Sequence, residues 1–416
     1  MRRSAGPERG VGIEWYVTDG PPCPAKARSS PDDFAVEEHL SVPGLTDEPR
    51  TDYFPLYRVE KRSIDTMHME RELSDALRSR VSYAGLKDKR AVAVQYATPT
   101  RRRSARPTEV VRERFRATLV GYVPTPVTRS ALVGNDFSVV LRECCAGVGG
   151  LVSETMRSAS TGSIPNFFGL QRFGTAGAGT HAVGRAMVKG DFEGAVRAMV
   201  APDADSEAGE AFEAREYGRL ARLIPEGRDI EIPVARELAR NPGEWVKALR
   251  AAPVKLRRLY VQAYQSYIFN RTMSMALEAG EDISKLAPGD NWASPSADGL
   301  VLSAVRGVRD APTEGAVPVV QTVGYAFRDY GSRFDALING VMASEGVEAK
   351  QFYLQQMQEA SQEGGFRRPQ MVVKGGSWTV EGDVASLKFT LPRGQYATVL
   401  LREIVKAEDP ARAGLA

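Results

Sequence analysis

The two-residue spacing of apolar positions in the first 190 residues predicts a series of β-strands. These predicted strands cover residues 54–59, 91–96, 115–121 and 137–141. Between the first two strands, apolar residues recur near helical spacing from Ile64 to Leu77, with Asp65 or Thr66 available as the N-cap. Residues 31–38 predict a turn that leads into a short edge strand. This part of the chain therefore combines a sheet with helices.

From about residue 190 the pattern becomes helical, and near residue 364 it returns to strands. The predicted helices cover 192–200, 211–223 and 256–279, and the predicted late strands cover 371–373, 377–380 and 385–391. A final pair of short elements is expected within 396–405. We therefore predict an α/β (α+β) fold whose catalytic domain, residues 1–189 plus 367–416, is interrupted by an inserted helix-rich domain, residues 190–366.

The composition is that of a globular protein, since 43% of the 416 residues are hydrophobic and 26% are charged. No apolar run approaches the roughly 18 residues of a membrane span, and no apolar segment follows the basic N-terminus, so neither a membrane helix nor a signal peptide is expected. Cys23, Cys144 and Cys145 do not form the pattern of a disulfide framework, which favours a cytoplasmic protein.

Motifs for bound cofactors are missing from the sequence. The three histidines are scattered, no Cys/His spacing resembles a metal site, and no glycine-rich phosphate loop opens a helix. We therefore expect neither a metal nor a nucleotide cofactor. The net charge is only +3, so a nucleic-acid partner requires a local basic face. The block 101–106 is either such a contact or a solvated loop.

The segment 83–92 contains one acid, Asp88, among Lys87, Lys89 and Arg90. It lies between the predicted helix and a predicted strand, and loops on a rigid scaffold often carry catalytic groups. The neighbouring cations favour an ionised carboxylate, which can act as a nucleophile or a base, and the basic frame suits a polyanionic substrate. The alternative is a surface turn with ordinary ion pairs.

A second dense segment, residues 166–174, combines aromatic, amide and arginine side chains with two glycines. Phe168 can stack on a base, Asn166 and Gln171 can bond a base edge, and Arg172 can hold a phosphate. The alternative is a turn whose phenylalanines only pack, and packing is the expected role of Phe167 and Phe173. The segments 263–270 and 391–403 are also expected to be structural.

Six segments together resemble the tRNA pseudouridine synthase D (TruD) family. They occur in the family's order and span nearly the whole chain: PDDFAVEE (31–38), AGLKDKRAVAVQ (84–95), GNDF (134–137), NFFGLQRFG (166–174), AYQSYIFN (263–270) and LPRGQYATVLLRE (391–403). The resemblance implies a pseudouridine synthase fold with a mixed, largely antiparallel sheet and a family-specific inserted domain. It also implies cofactor-free isomerisation of a uridine in tRNA, usually uridine 13.

Carried over by motif, the family's essential aspartate falls on Asp88 and its base-packing aromatic on Phe168. Asn166 would hold that loop or the nucleotide, and Arg28 would pair with Asp88 or with a phosphate. The implied substrate-binding set is Phe168, Asn166, Arg28, Phe34, Lys87, Gln171 and Arg172. Attack on carbon 1′ and removal of the 2′ proton remain alternatives for the aspartate.

Two other classes of function compete with this hypothesis. A non-catalytic RNA-binding protein could retain the scaffold, but the intact Asp88 motif favours an enzyme. A base deaminase would require a zinc cluster with an HxE motif, which the sequence lacks. The expected partner is tRNA, and the expected oligomeric state is a monomer.

Overall fold

A mixed sheet forms the centre of the protein in a computed structural model that describes residues 1–85, 87, 91–102, 107–174, 179–297, 299–303, 305 and 312–416. The strands are β1 (Arg2–Arg3), β2 (Trp15–Tyr16), β3 (Lys26–Ala27), β4 (Phe34–Leu40), β5 (Phe54–Arg62), β6 (Val81–Tyr83), β7 (Val92–Pro99), β8 (Glu109–Val111), β9 (Phe115–Val123), β10 (Leu132–Arg142), β11 (Trp292–Ala293), β12 (Val317–Pro318), β13 (Val320–Thr322), β14 (Gly365–Arg367), β15 (Lys374–Glu381) and β16 (Val384–Pro392). In the central sheet the strand order is β15-β16-β10-β4-β7-β5-β9-β8.

The helices are α1 (Gly6–Arg9), α2 (Thr66–Leu77), α3 (Val148–Ser160), α4 (Thr180–Lys189), α5 (Phe192–Val200), α6 (Glu207–Glu213), α7 (Tyr217–Leu223), α8 (Glu231–Arg240), α9 (Trp245–Arg250), α10 (Val254–Glu278), α11 (Arg333–Glu345) and α12 (Ala397–Val405). Helix α10 is the centre of the helical part and packs against α4 and α11. The division into a catalytic and an inserted domain stays a prediction.

Local patterns predicted several elements correctly. Strands β5, β7, β9 and β10 contain the four predicted strands, and helix α2 begins where the polar residues indicated. The Asp65 carboxylate caps α2 by accepting hydrogen bonds from the amides of Met67 and His68. The apolar face of α2 packs against β5, β6 and β7, because its buried residues recur at helical spacing.

Four expectations about elements were wrong. Strand β4 is an interior strand, paired antiparallel with β10 and parallel with β7, because alternation identifies a strand without revealing its neighbours. The predicted helix 211–223 divides at Arg215, whose φ is +58°. Residues 371–373 do not form a strand. The segment 396–405, in which a pair of short elements was expected, contains the single helix α12.

A disulfide links Cys23 to Cys145 across 122 residues, with the two Cα atoms 5.3 Å apart. The sequence analysis did not predict this bond, because the spacing of three cysteines carries no information about their separation in space. Cys144 is buried with a free thiol. In the part of the chain that the structure describes, no helix has both the length and the apolar character required to cross a membrane.

Candidate active site

A pocket of about 130 Å³ opens between the central sheet and the N-terminal end of helix α12. Val36 of β4 is opposite Phe137 of β10, and alternation therefore turns both side chains, together with Phe34, toward the same face. The rings of Phe34 and Phe137 meet edge to face, 5.9 Å apart. Four of the predicted substrate-binding residues line this pocket: Arg28, Phe34, Lys87 and Gln171.

Lys87 is held at the pocket by a buried ion pair. Its ammonium nitrogen lies 2.7 Å from Glu38 Oε1 and 2.9 Å from Asn135 Oδ1. The Lys87 side chain is 7% exposed and that of Glu38 is fully buried. The second Glu38 oxygen accepts the amide hydrogen of Tyr96 at 3.0 Å. The Lys87 ammonium and the Glu38 carboxylate together therefore connect the residue before Asp88 to three strands of the central sheet, β4, β7 and β10.

The main chain of Lys87 is also fixed. Its amide donates to Thr66 Oγ1 at 2.9 Å, and its carbonyl accepts from the buried Lys61 ammonium at 3.3 Å. Thr66 Oγ1 in turn donates to Gln95 Oε1 at 3.2 Å, so the buried Gln95 side chain supports Lys87 through Thr66. Asp88 itself lies outside the described residues, and its catalytic role stays a prediction.

Arg28 forms a wall of the pocket. Its guanidinium lies over the ring of Phe34, with 4.2 Å between the guanidinium carbon and the ring centroid. Its φ is +61°, in a region that non-glycine residues rarely adopt. Such strain is often found at functional positions. The structure therefore brings Arg28 and Lys87 to one pocket, while the pairing of Arg28 with Asp88 or a phosphate stays a prediction.

The backbone of Phe168 is fixed by helix α10. The Asn270 side chain accepts the Phe168 amide hydrogen at 2.8 Å and donates to the Phe168 carbonyl at 3.1 Å. The Phe168 ring is partly buried and meets Phe269 edge to face at 5.4 Å and Tyr396 at 6.2 Å. Because Tyr396 lines the pocket, Phe168 lies directly behind its aromatic wall.

Arg367 holds the loop that carries Phe168. Its guanidinium donates to the Asn166 carbonyl at 2.9 Å, to Asn166 Oδ1 at 2.6 Å and to the Gly394 carbonyl at 2.7 Å. The same group stacks over the Phe168 ring at 4.0 Å. Burial lowers the Arg367 pKa to about 10, and among the described residues no carboxylate pairs with it. Asn166 is thus a buried part of this support and does not line the pocket.

Gly169 and Gln171 complete the contact between this loop and helix α12. The Gln171 side chain and Thr398 Oγ1 are within hydrogen-bond distance, at 2.9 and 3.0 Å. A Cβ atom on Gly169 would lie 2.6 Å from Gln171 Oε1 and 3.2 Å from Tyr396, so a larger residue here would displace the Gln171 side chain.

Arg172 turns away from the pocket toward α10. It donates to Gln262 Oε1 at 2.9 Å and to Ser266 Oγ at 3.4 Å. Burial lowers its pKa, and the positive charge of Arg129 acts in the same direction. Its proposed contact with a phosphate stays a prediction.

Glu38, Tyr396 and Arg367 belong to this site but were not predicted from the sequence as site residues. Glu38 was part of a quoted motif, but nothing in the sequence indicated its pairing with Lys87. Tyr396 was expected only to pack, and Arg367 lies about 200 residues from the loop that it holds. The packing expected of Phe167 and Phe173 is confirmed, since both side chains are completely buried.

The structural roles expected of two other motifs are also confirmed. Most of the 263–270 segment is buried in helix α10. Arg402 and Glu403 form a buried ion pair that also includes Glu8, whose Oε1 lies 2.6 Å from Arg402 Nε. In the described residues no cluster of His, Cys, Asp and Glu has the arrangement of a metal site.

Comparison with known proteins identifies the class. Residues 10–404 match the family model of tRNA pseudouridine synthase D (TruD). The chain is 32% identical to a protein named probable tRNA pseudouridine synthase D from Pyrobaculum arsenaticum, with all of both chains covered. It is also 32% identical to a protein of that name from Methanopyrus kandleri, over 85% of this chain and 86% of the relative.

The fold agrees with a solved structure. A crystal structure of a Methanosarcina mazei protein assigned to tRNA pseudouridine synthase D superimposes with a TM-score of 0.78 at 26% identity, covering 99% of this chain and 100% of the other. These matches assign the chain to the pseudouridine synthases, a class of isomerases. Within that class it belongs to the tRNA pseudouridine synthase D family, as the six sequence motifs predicted.

Proposed function

We propose that this enzyme converts uridine 13 of tRNA to pseudouridine and that Asp88 acts on the sugar without a metal or an organic cofactor. The observation that supports this most is the anchoring of Lys87. Both its main chain and its ammonium group are bonded beside the pocket, so the residue that precedes Asp88 is fixed there. Precise placement of a reacting group is itself a large part of catalysis.

The reaction requires three changes in the substrate. The bond between carbon 1′ and N1 breaks, the detached uracil rotates, and carbon 5 bonds to carbon 1′ and then loses its proton. Asp88 acts either as a nucleophile at carbon 1′ or as a base that removes the 2′ proton and gives a glycal. C5 gives up its proton to a base, N1 takes up one proton in place of its bond to carbon 1′, and in the glycal route the proton removed from carbon 2′ is put back, so the product is an isomer of the substrate.

The pocket provides contacts suited to a uridine that has left its stack. Unstacking costs a few kcal/mol, and stacking on an aromatic face returns about 1–3 kcal/mol per base. Phe34 and Tyr396 border the pocket and Phe168 supports it, while Arg28 contributes a cation for a phosphate or for Asp88. The motif makes Phe168 our candidate for the residue against which the base packs, and this role requires the base to pass Tyr396, which lies between Phe168 and the pocket.

The remaining parts of the proposal concern organisation. We assign residues 1–189 and 367–416 to the catalytic domain and 190–366 to an inserted domain, and we expect tRNA to contact both. We further expect a monomer that acts in the cytoplasm on its RNA substrate. Size-exclusion chromatography with light scattering tests the oligomeric state directly.

The experiment is pseudouridine mapping on an unmodified tRNA transcript by carbodiimide labelling and primer extension. We expect a stop at position 13 after incubation with the enzyme, and none on a matched transcript in which cytidine replaces uridine 13. A stop at a different uridine would retain the chemistry and contradict the choice of target. Tight binding with no modification of any tRNA would instead favour the non-catalytic RNA-binding alternative.

Phe168 provides a test of how the base is recognised. We expect Phe168→Ala to lower the single-turnover rate constant more than it weakens tRNA binding, because the aromatic face is used when the base has left its stack. Phe168→Tyr keeps that face and serves as the matched control. An unchanged rate constant for Phe168→Ala would assign Phe168 to packing alone.

A further inference from the structure

A second cavity lies beside the Asn166 loop. It measures about 250 Å³ and is bordered by the end of helix α3, by the loop that contains Gly299, and by residues 368–374. The Asn166 side chain donates to the carbonyl of Arg368 at 3.0 Å, which connects this cavity to the support of Phe168. Arg367 and Arg368 are consecutive, so one arginine serves each site.

Two cations without carboxylate partners meet at this cavity. Arg368 is only 8% exposed, burial lowers its pKa, and its Nε has no hydrogen-bond partner. Its Nη1 makes one long contact, 3.3 Å, to the Gly299 carbonyl. Lys374 lies over the same glycine, with its ammonium 2.9 Å from the position of a Cβ atom there. The described residues that line the cavity include no aspartate or glutamate.

The end of helix α3 contributes only neutral side chains to the cavity. At the end of α3, the Ser160 hydroxyl donates to the Arg157 carbonyl at 2.7 Å and the Thr161 hydroxyl donates to the Ser158 carbonyl at 3.1 Å. These helix carbonyls already have partners. A buried guanidinium with an unused donor is costly unless an anion completes it. The cavity therefore has the character of an anion site.

Gln370 adds a second type of contact. Its side chain is buried, lines the cavity, and has an Oε1 atom without a partner. An acceptor beside two cations matches a ligand that has an anion and a neighbouring hydroxyl donor. The backbone of RNA has both, because each phosphodiester is flanked by a ribose 2′-hydroxyl, and that hydroxyl distinguishes RNA from DNA.

We propose that this cavity binds one phosphodiester of the RNA strand that flanks the target nucleotide, with Arg368 and Lys374 on the phosphate and Gln370 on the adjoining 2′-hydroxyl. This inference rests on the proposed function, because it needs an RNA strand that passes the candidate active site. The subsite contributes to binding and register and takes no part in bond breaking. Phosphate contacts position a nucleic acid in this way without reading its sequence.

The test compares Lys374→Gln and Arg368→Lys with the wild type and with Lys350→Gln. Lys350 is an exposed lysine paired with Glu348 outside the cavity, so its replacement makes the same change in charge as Lys374→Gln. Binding of a tRNA transcript is measured by fluorescence anisotropy at several salt concentrations, and the reaction is followed in single turnover at saturating enzyme. Lys374 is exposed, so Lys374→Gln should fold normally even if substitutions of Arg368 do not.

We expect Lys374→Gln to weaken binding about tenfold and to reduce the slope of log Kd against log salt by about 0.7–0.9, the value for one lost phosphate contact. The saturating rate constant should stay within about twofold of the wild type. In addition, 2′-deoxy substitutions beside the target should weaken binding by the wild type but not by Gln370→Ala. A salt slope equal to that of Lys350→Gln would overturn the proposal.

Two further results would also overturn it. In the first, millimolar inorganic phosphate stabilises the protein, this stabilisation is lost when Arg368 or Lys374 is replaced, and RNA binding is unaffected by the same replacements. The site would then bind a free anion and not RNA. The other is an effect of Lys374→Gln on the saturating rate constant alone. Failure of the proposed function is distinguishable from both outcomes, because in that case the wild type itself forms no pseudouridine.

Discussion

The buried pair of Glu38 and Lys87 gives the sharpest prediction about how the candidate active site is held. Replacing Glu38 with glutamine keeps the size of the side chain but removes its charge. Glu38 accepts from the Lys87 ammonium through one oxygen and from the Tyr96 amide through the other. A glutamine has only one oxygen, so its amide group would face one of these two donors.

The size of the effect follows from burial. The Glu38 side chain is completely buried and that of Lys87 nearly so, and loss of one partner from a buried ion pair typically costs about 3–5 kcal/mol. Glu37, the neighbour on the same strand, points to the opposite face, is 44% exposed and pairs with Arg58 at 3.3 Å. Loss of such an exposed pair costs about 0–1 kcal/mol.

The assay is urea denaturation of the wild type, Glu38→Gln and the matched control Glu37→Gln, together with single-turnover pseudouridine formation. We expect the free energy of unfolding of Glu38→Gln to lie about 3 kcal/mol below that of Glu37→Gln. We also expect at least about a tenfold slower reaction, because displacement of a reacting group by 1 Å can cost about a hundredfold. Glu38→Leu combined with Lys87→Met should restore part of the lost stability, since neither charge is then left unpaired, while the Tyr96 amide still lacks its acceptor.

Equal stabilities of the two glutamine variants would refute this reasoning. That result would mean that Lys87 reaches water or another acceptor once Glu38 is neutral. A stability loss in the double variant as large as in Glu38→Gln would also contradict it, since the cost would then reflect packing and not an unpaired charge.

Three other predictions follow from described contacts. Arg367→Lys keeps the positive charge but loses the planar guanidinium, which bonds the Asn166 loop and stacks over the Phe168 ring. The rate constant at saturating enzyme should therefore fall about 10–100-fold, while the tRNA Kd stays within about threefold. Equal losses in the rate constant and in tRNA binding would contradict a positioning role for Arg367. Cys145→Ser removes the disulfide to Cys23 and so opens a loop of 122 residues. Under non-reducing conditions the variant should have a free energy of unfolding lower than that of the wild type by up to about 5 kcal/mol. A reductant should abolish this difference. Burial raises the Glu359 pKa, but hydrogen bonds from two arginines more than offset this and hold the pKa at about 2, below its ordinary 4.5. The ionised Glu359 should therefore contribute its full stabilisation above about pH 4.5 and lose it as the pH falls to about 2. Glu359→Gln should accordingly make the free energy of unfolding less dependent on pH between these two values.

Local periodicity predicted the elements whose pattern does not depend on distant partners. Helix α2 has both an apolar stripe and an aspartate cap, and the last apolar residue of the predicted stripe, Leu77, is also the last residue of the helix. Strand β4 was recognised as a strand, but its interior position depends on pairing with β10, about 100 residues further along the chain. The break at Arg215 has no glycine or proline to indicate it, so a continuous helix was expected there.

The candidate site was predictable where its residues are close in sequence. Asn166, Phe168 and Gln171 belong to one motif, and the structure gathers them against helices α10 and α12. Arg367 could not be found in this way, because an arginine in a short strand has no pattern that indicates a stack on a distant ring. Glu38 looked like an ordinary strand carboxylate until its pairing with Lys87 explained its complete burial.

The most direct test of the catalytic proposal compares Asp88→Asn with Asp32→Asn, a control at an exposed aspartate that pairs with Arg62. Each variant is incubated with the tRNA transcript, and both the Kd and the amount of pseudouridine formed are measured. We predict that Asp88→Asn binds tRNA with nearly the wild-type Kd and forms no pseudouridine, whereas Asp32→Asn does both normally. Normal turnover by Asp88→Asn would contradict the assignment of Asp88 as the catalytic residue.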